Sequence, residues 1–414
     1  PELLAPTTYS LTDYREAERV VAEYNALAKK AEALYEQQPD AYRDAYYQLV
    51  LFPVQASANL NALFVTVGEN RLYAAQGRAA TNAMAEKART LFARDAELTR
   101  TYHEDLAGGK WNHMMSQTHI GYTNWQQPDE NAMPEVREIE VPAGAEMGVA
   151  VEGSDRWWPA ASEAAVLPEM DVYRQPERYV EVFNRGAEPF AFTARTAEPW
   201  LSVSPANGEV DDQTRLRVRV DWERAPQGRH RVPVTIEGPG GRSVVVQAEV
   251  FNPAAPKRDG IVGFVESEGY VSMEAEHFTR AVDAPPVEWK VIPGLGRTGS
   301  AVTPFPVTSP AQTPGGDGPH LAYRIYVHEP GEVEVHAYLS PTFDFKGTDG
   351  LRYAVSFDDA EPRIVNMHDE GSLDPDRYHP AWNRVVADNL QRSTSTHVLA
   401  APGEHVLKFW VVDP

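Results

Sequence analysis

The sequence predicts a multidomain protein in which an α-helical region precedes an all-β region. Over about the first hundred residues, apolar side chains recur every three or four positions, which is the period of an amphipathic helix. After Met133, proline and glycine become frequent and short alternating runs replace the helical pattern. We therefore predict an N-terminal helical bundle over 1–132, an immunoglobulin-like β-sandwich over 133–256 and a C-terminal jelly-roll-like β-sandwich over 257–414.

The helical prediction rests on patterns of apolar residues and on helix-start and helix-stop signals. One stripe of the first helix is formed by Val20, Tyr24, Leu27, Ala31 and Leu34. Ser10 and Asp13 have the spacing of a capping box, which places a helix start beside them. Pro53 lacks a backbone N–H, so we expect it to kink or break the helix in which it lies.

The two β-sandwich predictions rest on evenly spaced short strands. Alternating runs between Arg178 and Phe251 are separated by turn signals such as Asn207-Gly208, a pattern typical of an immunoglobulin-sized sandwich. Longer loops separate the runs after Gly260, which favours a jelly roll. The last alternating run, His405 to Val411, lies so close to the end of the sequence that we expect the native domain to continue.

Composition argues against several classes of partner. The 414 residues carry a formal net charge of −22. Phosphate backbones and anionic membranes require a basic surface, so we predict no nucleic-acid and no membrane partner. No apolar run is expected to be long enough to span a bilayer. The absence of cysteine excludes disulfides, thiolate metal sites and a cysteine nucleophile.

One segment, Gly108 to Pro128, concentrates aromatic, imidazole and amide side chains. Aromatic faces next to amides suit the stacking and hydrogen bonding that hold a sugar ring. The alternative is a buried joint in which the same side chains pack and satisfy loop backbone. As substrate-binding candidates we name Lys110, Trp111, His113, Gln117, His119, Tyr122 and Trp125. We expect His113, Gln117, His119 and Trp125 to be partly exposed. Full burial of these side chains would instead favour the packing alternative.

Carboxylates are the second group of candidates. Glu274 and Glu276 on an opening strand, with Asp413 on the closing one, could meet at the sandwich edge and hold a structural calcium ion. The alternative is a solvated acidic surface, consistent with the overall charge. We predict that no cofactor is required. Gly294 to Gly299 has the spacing of a dinucleotide fingerprint, but it lies among strands and opens no helix.

Several of these stretches resemble glycoside hydrolase family 115, the xylan α-1,2-glucuronidases. The similar stretches are Tyr47–Val50, Asn70–Arg78, Gly108–Pro128, Glu274–Phe278 and Gly294–Gly299. The Glu-Ala-Glu opening at Glu274 is also similar to carbohydrate-binding modules of families 6 and 35, in which the second acid often helps to bind structural calcium. The resemblance covers nearly the whole chain.

The resemblance implies a role as well as partners. In family 115 the acid/base carboxylates lie in an N-terminal α/β region and a barrel, and no βα repeat occurs here. No catalytic residue can therefore be assigned to this sequence. The implied partners are N-terminal catalytic domains absent from this sequence, xylan or a glucurono-xylooligosaccharide as substrate, and a second copy in a homodimer. The implied location is secreted or periplasmic.

Two functional hypotheses follow. The first is an accessory C-terminal region of an α-glucuronidase, which is itself inactive, supports the barrel and the dimer, and helps to line the pocket; Lys110 could then approach a uronate carboxylate. The alternative is a stand-alone polysaccharide-binding or scaffold protein without catalysis. Its sandwiches would hold sugar through exposed aromatic residues, for which the candidates are Trp289, Tyr326, Tyr338 and Trp382.

Overall fold

A computed structural model describes residues 3–123, 126–296, 298–347, 350–368, 384–386 and 388–414. The chain forms two compact units, Leu3–Asn252 and Pro253–Pro414. The first unit contains four α-helices followed by strands, and the second is built mainly from strands, with helical residues at 384–386 and 388. The predicted order of a helical region followed by an all-β region is therefore confirmed.

The helical region contains four α-helices. They are α1 (Glu16–Glu36), α2 (Asp40–Tyr46), α3 (Phe52–Gln76) and α4 (Thr81–Arg100). Helix α1 begins at Glu16 because Ser10 and Asp13 form a turn of their own, in which the Asp13 N–H donates to the Ser10 hydroxyl at 2.9 Å. The predicted stripe on α1 is only partly buried: Ala31 is buried, whereas Leu27 and Leu34 are exposed.

Of the two effects predicted at Pro53, a kink or a break of the helix, the break is wrong. A π turn, Tyr47–Leu51, joins α2 to α3, so that one helix continues from Asp40 to Gln76. The Phe52 N–H donates to the Tyr47 carbonyl, which is the hydrogen bond of a π turn. This turn takes up an extra residue just before the proline, and the missing N–H therefore interrupts no regular α-helical ladder.

The continuous helix Asp40–Gln76 also corrects the expectation about apolar runs. Its most apolar stretch has a mean hydropathy of 1.4, enough in length and composition to cross a bilayer. However, 56% of that stretch is buried inside the protein, and a core helix of a soluble bundle meets the same criterion. Asn61, Thr66 and Asn70 are among its buried polar residues.

Asparagine side chains hold the connection between α4 and the first strand against the helices. The Asn70 amide both donates to and accepts from the backbone of Arg137, at 2.9 and 2.7 Å. Asn82 does the same with Ile139, at 3.0 and 2.9 Å. Because these paired bonds imitate strand pairing, they fix an extended chain along α3 and α4 without a β-partner.

The β-region of the first unit is formed by two sheets. Its strands are β1 (Met147–Val151), β2 (Ala165–Val166), β3 (Met170–Asp171), β4 (Arg178–Asn184), β5 (Phe190–Thr196), β6 (Leu201–Ser204), β7 (Asn207–Val210), β8 (Gln213–Val220), β9 (Gly228–Glu237) and β10 (Ser243–Asn252). One sheet has the order β1-β4-β8-β6, and the other has the order β2-β10-β9-β5-β7, with β3 also on β10. Alternate residues such as Val180, Phe192 and Val234 share one apolar core.

The second unit is formed by strands around a second core. They are β11 (Phe264–Val265), β12 (Arg280–Val282), β13 (Glu288–Ile292), β14 (Ala301–Phe305), β15 (His320–Val327), β16 (Gly331–Leu339), β17 (Arg352–Phe357), β18 (Arg363–Asn366), β19 (Gln391–Leu399) and β20 (Gly403–Val411). The main sheet has the order β11-β15-β20-β17-β18, with β12 also on β15, while β13 pairs with β14 and β16 with β19. Leu321, Tyr353 and Leu407 lie in the core.

A buried arginine joins the helices to the first β-region. Arg78, just after α3, is 1% exposed. Its guanidinium donates to the side-chain oxygens of Gln76, Glu181 and Gln213 at 2.6, 2.8 and 2.8 Å. Glu181 belongs to β4 and Gln213 to β8, so one side chain connects α3 to two neighbouring strands. We call these four residues the Arg78 joint.

Aromatic rings and a second arginine surround the Arg78 joint. The rings of Tyr73 and Phe183 each have their centroid 4.3 Å from the Arg78 guanidinium carbon, a distance typical of cation–π contacts. Arg215 bonds to Glu181 at 2.9 Å. Burial would raise the pKa of Glu181, but the charges of Arg78 and Arg215 outweigh burial and lower it. Glu181 is therefore an ionised, fully paired carboxylate.

Candidate functional site

The segment predicted to contact sugar begins where α4 ends. A π turn, Thr101–Asp105, follows the helix. Ala107, Gly108 and Gly109 then take left-handed backbone conformations, with φ of 51, 63 and 82°. Because L side chains rarely adopt this region, the two glycines make the sharp reversal after α4 possible. The reversal places the residues from 110 onward at the end of the helical region.

Trp111 is an anchor of this segment rather than an open platform. Its half-buried ring packs against a cluster that includes Leu98, Tyr102 and Leu106. The exposed Lys110 lies beside it, with Nζ 4.9 Å from the Trp111 ring centroid. The tryptophan therefore holds the lysine in place at the surface, where its charge is available to an anionic group.

The next residues are exposed. His113 has a φ of +68°, and its ring lies 6.5 Å from that of His103. The His103 ring has a structural role, because its Nε2 accepts the Met115 N–H at 3.2 Å. Met114 and Met115 are 63% and 41% exposed. This stretch therefore presents one imidazole and two thioethers to solvent.

Two further candidates bond to each other. The Gln117 side-chain amide donates to the Tyr122 hydroxyl at 2.7 Å. Gln117 is exposed and Tyr122 is half-buried. The bond closes a small loop over 117–122.

His119 has a partner that the sequence did not reveal. Its Nδ1 lies 3.0 Å from a carboxylate oxygen of Asp95 on α4, a residue that is 1% exposed. The hydrogen bond and charge of Asp95 outweigh the effect of burial and raise the pKa of His119. The Asn131 side chain accepts the N–H groups of His119 and Ile120 at 2.7 and 2.9 Å. Ile120 is buried against Leu63 and Val67.

The predicted substrate residues therefore divide into two groups. Trp111 and His119 mainly fix the segment, whereas Lys110, His113 and Gln117 are exposed. Trp125 lies outside the described residues. Over the described parts of the chain, no group of three or more His, Asp or Glu side chains could hold a metal ion, so His113 and His119 have no third ligand there. Sugar contact by the exposed residues stays a prediction.

The structure brings together two of the three predicted calcium ligands. Glu274 accepts the Thr298 hydroxyl, and Glu276 accepts the Ser300 N–H at 2.9 Å. A Cβ at Gly299 would lie 2.7 Å from Glu276 Oε1, so a larger residue there would displace the end of that glutamate side chain. The hydrogen bonds from Ser300 hold the pKa of the Glu276 carboxyl below its usual value.

Asp413 is used elsewhere. Its carboxylate accepts the backbone N–H of Arg352 at 3.0 Å and the Arg352 Nε at 2.8 Å. The aspartate side chain is 1% exposed, and this ion pair ties the end of the chain to β17. The three predicted ligands do not form a metal-binding group within the described residues.

The aromatic candidates of the second unit differ in exposure. Trp289 is half-buried and packs against the second core. Tyr326 is also half-buried, with its ring centroid 5.0 Å from that of His328. Tyr338 is 63% exposed. Trp382 lies outside the described residues. Of the three that the structure describes, Tyr338 has the geometry of an open aromatic surface.

Comparison with known families identifies the second unit. Residues 263–414 match the model of the glycosyl hydrolase family 115 C-terminal domain. The second unit is therefore similar to that domain. The domain carries the Glu274–Glu276 pair, the Arg352–Asp413 ion pair and the exposed Tyr338.

Solved structures give more distant likenesses. A family GH115 4-O-methyl-α-glucuronidase with specificity for decorated arabinogalactans aligns over 97% of this chain and 32% of its own, with 16% identity and a TM-score of 0.45. A Bacteroides ovatus GH5 xyloglucanase aligns over 29% and 22%, with 16% identity and a TM-score of 0.19. The periplasmic chaperone SfaE aligns over 26% and 59%, with 12% identity and a TM-score of 0.20. The chain spans about a third of the length of the first of these proteins. No curated protein matches it.

Sequence analysis missed two sets of residues: those that position the candidate segment, and the arginine that joins the helices to the first β-region. Asp95 and Asn131 fix His119, and Arg78 joins the helices to the sheet. A signal was present for the joint, because Gln76 and Arg78 follow directly on an apolar helix. Buried charge at the end of an apolar helix predicts a specific partner, although not which one.

Proposed function

We propose that this chain is the C-terminal accessory region of an α-glucuronidase that removes (4-O-methyl)glucuronic acid from a decorated polysaccharide. The observation that carries the proposal is the family 115 C-terminal domain at 263–414. Hydrolysis at the anomeric carbon needs two carboxylates that flank the glycosidic bond, and in this proposal N-terminal catalytic domains supply them. The substrate that we propose is glucuronoxylan.

In this proposal the exposed residues of 110–117 face the catalytic domains and extend the substrate pocket. Lys110 supplies a point charge for the uronate carboxylate, and His113 and Gln117 supply hydrogen bonds. Support comes from the way in which the segment is held. Trp111 packs at one end, and the Asp95–His119 pair fixes the other, so that the exposed groups lie on a rigid base.

The same proposal covers assembly and location. The first β-region is an immunoglobulin-like sandwich and the second unit is a jelly-roll-like one. The exposed Leu27, Leu34 and Leu49 of the helical region support a homodimer contact, since apolar side chains at a surface favour association. Sedimentation velocity at several concentrations tests the dimer.

The proposed enzyme acts outside the cytoplasm. A search of the upstream reading frame for a secretion signal tests that location.

We expect no release of glucuronic acid from this chain alone, and release when the upstream catalytic domains are expressed in the same polypeptide. In that complete enzyme, Lys110→Gln should raise KM for uronate-decorated oligosaccharides by about tenfold, because one charge-assisted contact is worth about 1.5 kcal/mol. The measurement is chromatographic detection of released 4-O-methylglucuronic acid from glucuronoxylan and, in parallel, from glucuronic-acid-decorated arabinogalactan.

Lys29→Gln is the matched control, because it removes an exposed lysine on α1. The control should leave KM unchanged. Hydrolysis by this chain alone would refute the accessory role. An upstream reading frame without a catalytic domain would do the same. A preference for arabinogalactan over xylan would replace the proposed substrate but keep the reaction.

Structural calcium is proposed at Glu274 and Glu276, each of which has one carboxylate oxygen not used by the 298–300 turn in the bonds described above. Since calcium takes oxygen ligands, the ion should raise the thermal unfolding midpoint of the second unit relative to a chelator. Glu276→Gln should abolish that rise. Differential scanning calorimetry measures it, and Asp259→Asn, which alters an exposed carboxylate elsewhere in the unit, is the control. Equal midpoints with calcium and chelator would eliminate the site.

A further inference from the structure

The outer face of the β16–β19 pair is polar and open. Alternate residues of β16, namely Val333, Val335, Ala337 and Leu339, pack into the second core. The side chains between them point the other way. On that outer face the cross-strand pairs are Glu332–Val398, Glu334–Thr396, His336–Thr394 and Tyr338–Arg392. We call these eight residues the β16–β19 face.

One end of the β16–β19 face presents an aromatic ring beside a positive charge. Tyr338 is 63% exposed and lies directly opposite Arg392. Cross-strand neighbours have Cβ atoms about 5 Å apart, so one small ligand can touch both. Within the described part of the chain, Arg392 makes no ion pair and its guanidinium covers no aromatic ring. By contrast, the guanidinium carbon of Arg215 lies 4.4 Å from the centroid of the Tyr179 ring.

The remaining polar groups on this face are largely satisfied among themselves. His336 Nδ1 lies 2.9 Å from the Thr394 hydroxyl. His336 Nε2 lies 3.5 Å from the Glu334 carboxylate. The neighbouring Arg363 donates to the Thr396 carbonyl. Glu334 lies two pleats, about 14 Å, along the strand from Tyr338 and Arg392, so the Arg392 guanidinium is nearer to the tyrosine ring than that carboxylate is.

This arrangement selects an anionic ligand with a ring. The chain carries a net charge of −22, so a locally positive site is not explained by general surface composition. A tyrosine ring stacks on the apolar face of a sugar, and a guanidinium bonds a carboxylate with two parallel N–H groups. A neutral glycan would offer the arginine only uncharged oxygen acceptors, which form weaker hydrogen bonds with a guanidinium than a carboxylate does.

We propose that the β16–β19 face is a binding site for a uronate-bearing glycan, with the sugar ring on Tyr338 and the uronate carboxylate at Arg392. The choice of a uronate rests on the proposed function. The site holds the decorated polysaccharide on the accessory region itself, and it lies on a different unit of the chain from the 110–117 segment. It binds and does not hydrolyse.

Isothermal titration of the full chain tests the site. The probes are a xylo-oligosaccharide that bears one 4-O-methylglucuronic acid and the same oligosaccharide without it. The wild-type chain should bind the decorated probe more tightly, and its Kd should rise with salt. Arg392→Gln should weaken decorated-probe binding by about tenfold and should remove the salt dependence, because a charge-assisted bond is lost. Tyr338→Ala should weaken binding of both probes.

A matched control is available in the same unit. Arg258→Gln removes an exposed arginine that does not belong to the β16–β19 face. It should leave Kd unchanged. Arg392→Lys keeps the charge without the paired N–H geometry and should show an intermediate affinity.

Equal affinity of the wild type and Arg392→Gln, or of the two probes, would overturn the site. This outcome is separate from failure of the proposed function, which is judged by hydrolysis in the complete enzyme. If hydrolysis fails while binding depends on Arg392, the accessory role in catalysis falls and the glycan site stands. If hydrolysis succeeds and binding is absent, the reverse holds.

Discussion

Arg78→Met is expected to lower the free energy of unfolding of the first unit by about 4 kcal/mol, since removing one partner of a buried ion pair leaves the other charge unpaired. Glu181 would keep only Arg215 as a cationic partner, and Gln213 would lose its donor. For a unit of this size the thermal midpoint should fall by about 10 °C. Urea denaturation followed by tryptophan fluorescence measures the change.

Arg89→Met is the matched control for Arg78. Arg89 is exposed and pairs with Glu86 and Glu138 on the surface, where solvent screens the charges, so its replacement should cost far less than that of Arg78. The double variant Arg78→Met, Glu181→Leu should recover part of the loss, because no buried charge is then left unpaired. If Arg78→Met costs no more than Arg89→Met, the buried joint does not stabilise the unit.

Asp95→Asn should lower the free energy of unfolding by about 2 kcal/mol at about pH 5.5, the cost of a charge-assisted hydrogen bond to His119. The amides of His119 and Ile120 should also exchange faster, because the strand-like contact with Asn131 is held in place by the pair. Hydrogen exchange by mass spectrometry reports the local effect, and chemical denaturation reports the global one.

The loss at Asp95 should shrink as the pH rises. Asp95 raises the pKa of His119 in the folded protein. A raised pKa stabilises the fold fully below the unfolded value, about 6.5, and that stability is lost as the pH passes through the folded value. The difference between wild type and Asp95→Asn should therefore be smaller at about pH 9. Asp129→Asn, at an exposed carboxylate, is the control and should show no such trend. A difference independent of pH would contradict the ion pair.

Local patterns were sufficient to predict the class of each region. The order of helices and strands follows from periodicity, and β10 shows the predicted alternation, with buried residues between exposed or half-buried ones. Local patterns gave wrong expectations where a residue interacts with a residue distant in the sequence, or where the backbone departs from regular helix geometry. At Pro53 a π turn absorbs the proline, and near Ser10 a side-chain turn delays the helix start.

The candidate segment was only partly predictable for the same reason. Its composition indicated aromatic and amide side chains suited to stacking on a sugar and hydrogen-bonding to it. The exposed His113 and Gln117 agree with the expected partial exposure. Whether a tryptophan or histidine is a contact or an anchor depends on what lies behind it. For Trp111 that is the cluster around Tyr102, and for His119 it is Asp95, which lies 24 positions away in the chain. The pairing of Asp413 with Arg352 is likewise a contact between residues distant in the sequence, which local patterns do not reveal.

The Arg78 joint also bears on how such chains can be inherited and recombined. Its arginine is encoded with the helices, whereas its carboxylate and amide partners are encoded with β4 and β8. A crossover between these coding stretches would pass on a buried charge without its partner. A crossover near Asn252 and Pro253 would keep every member of the joint together. The helices and the first β-region should therefore travel between genes as one block.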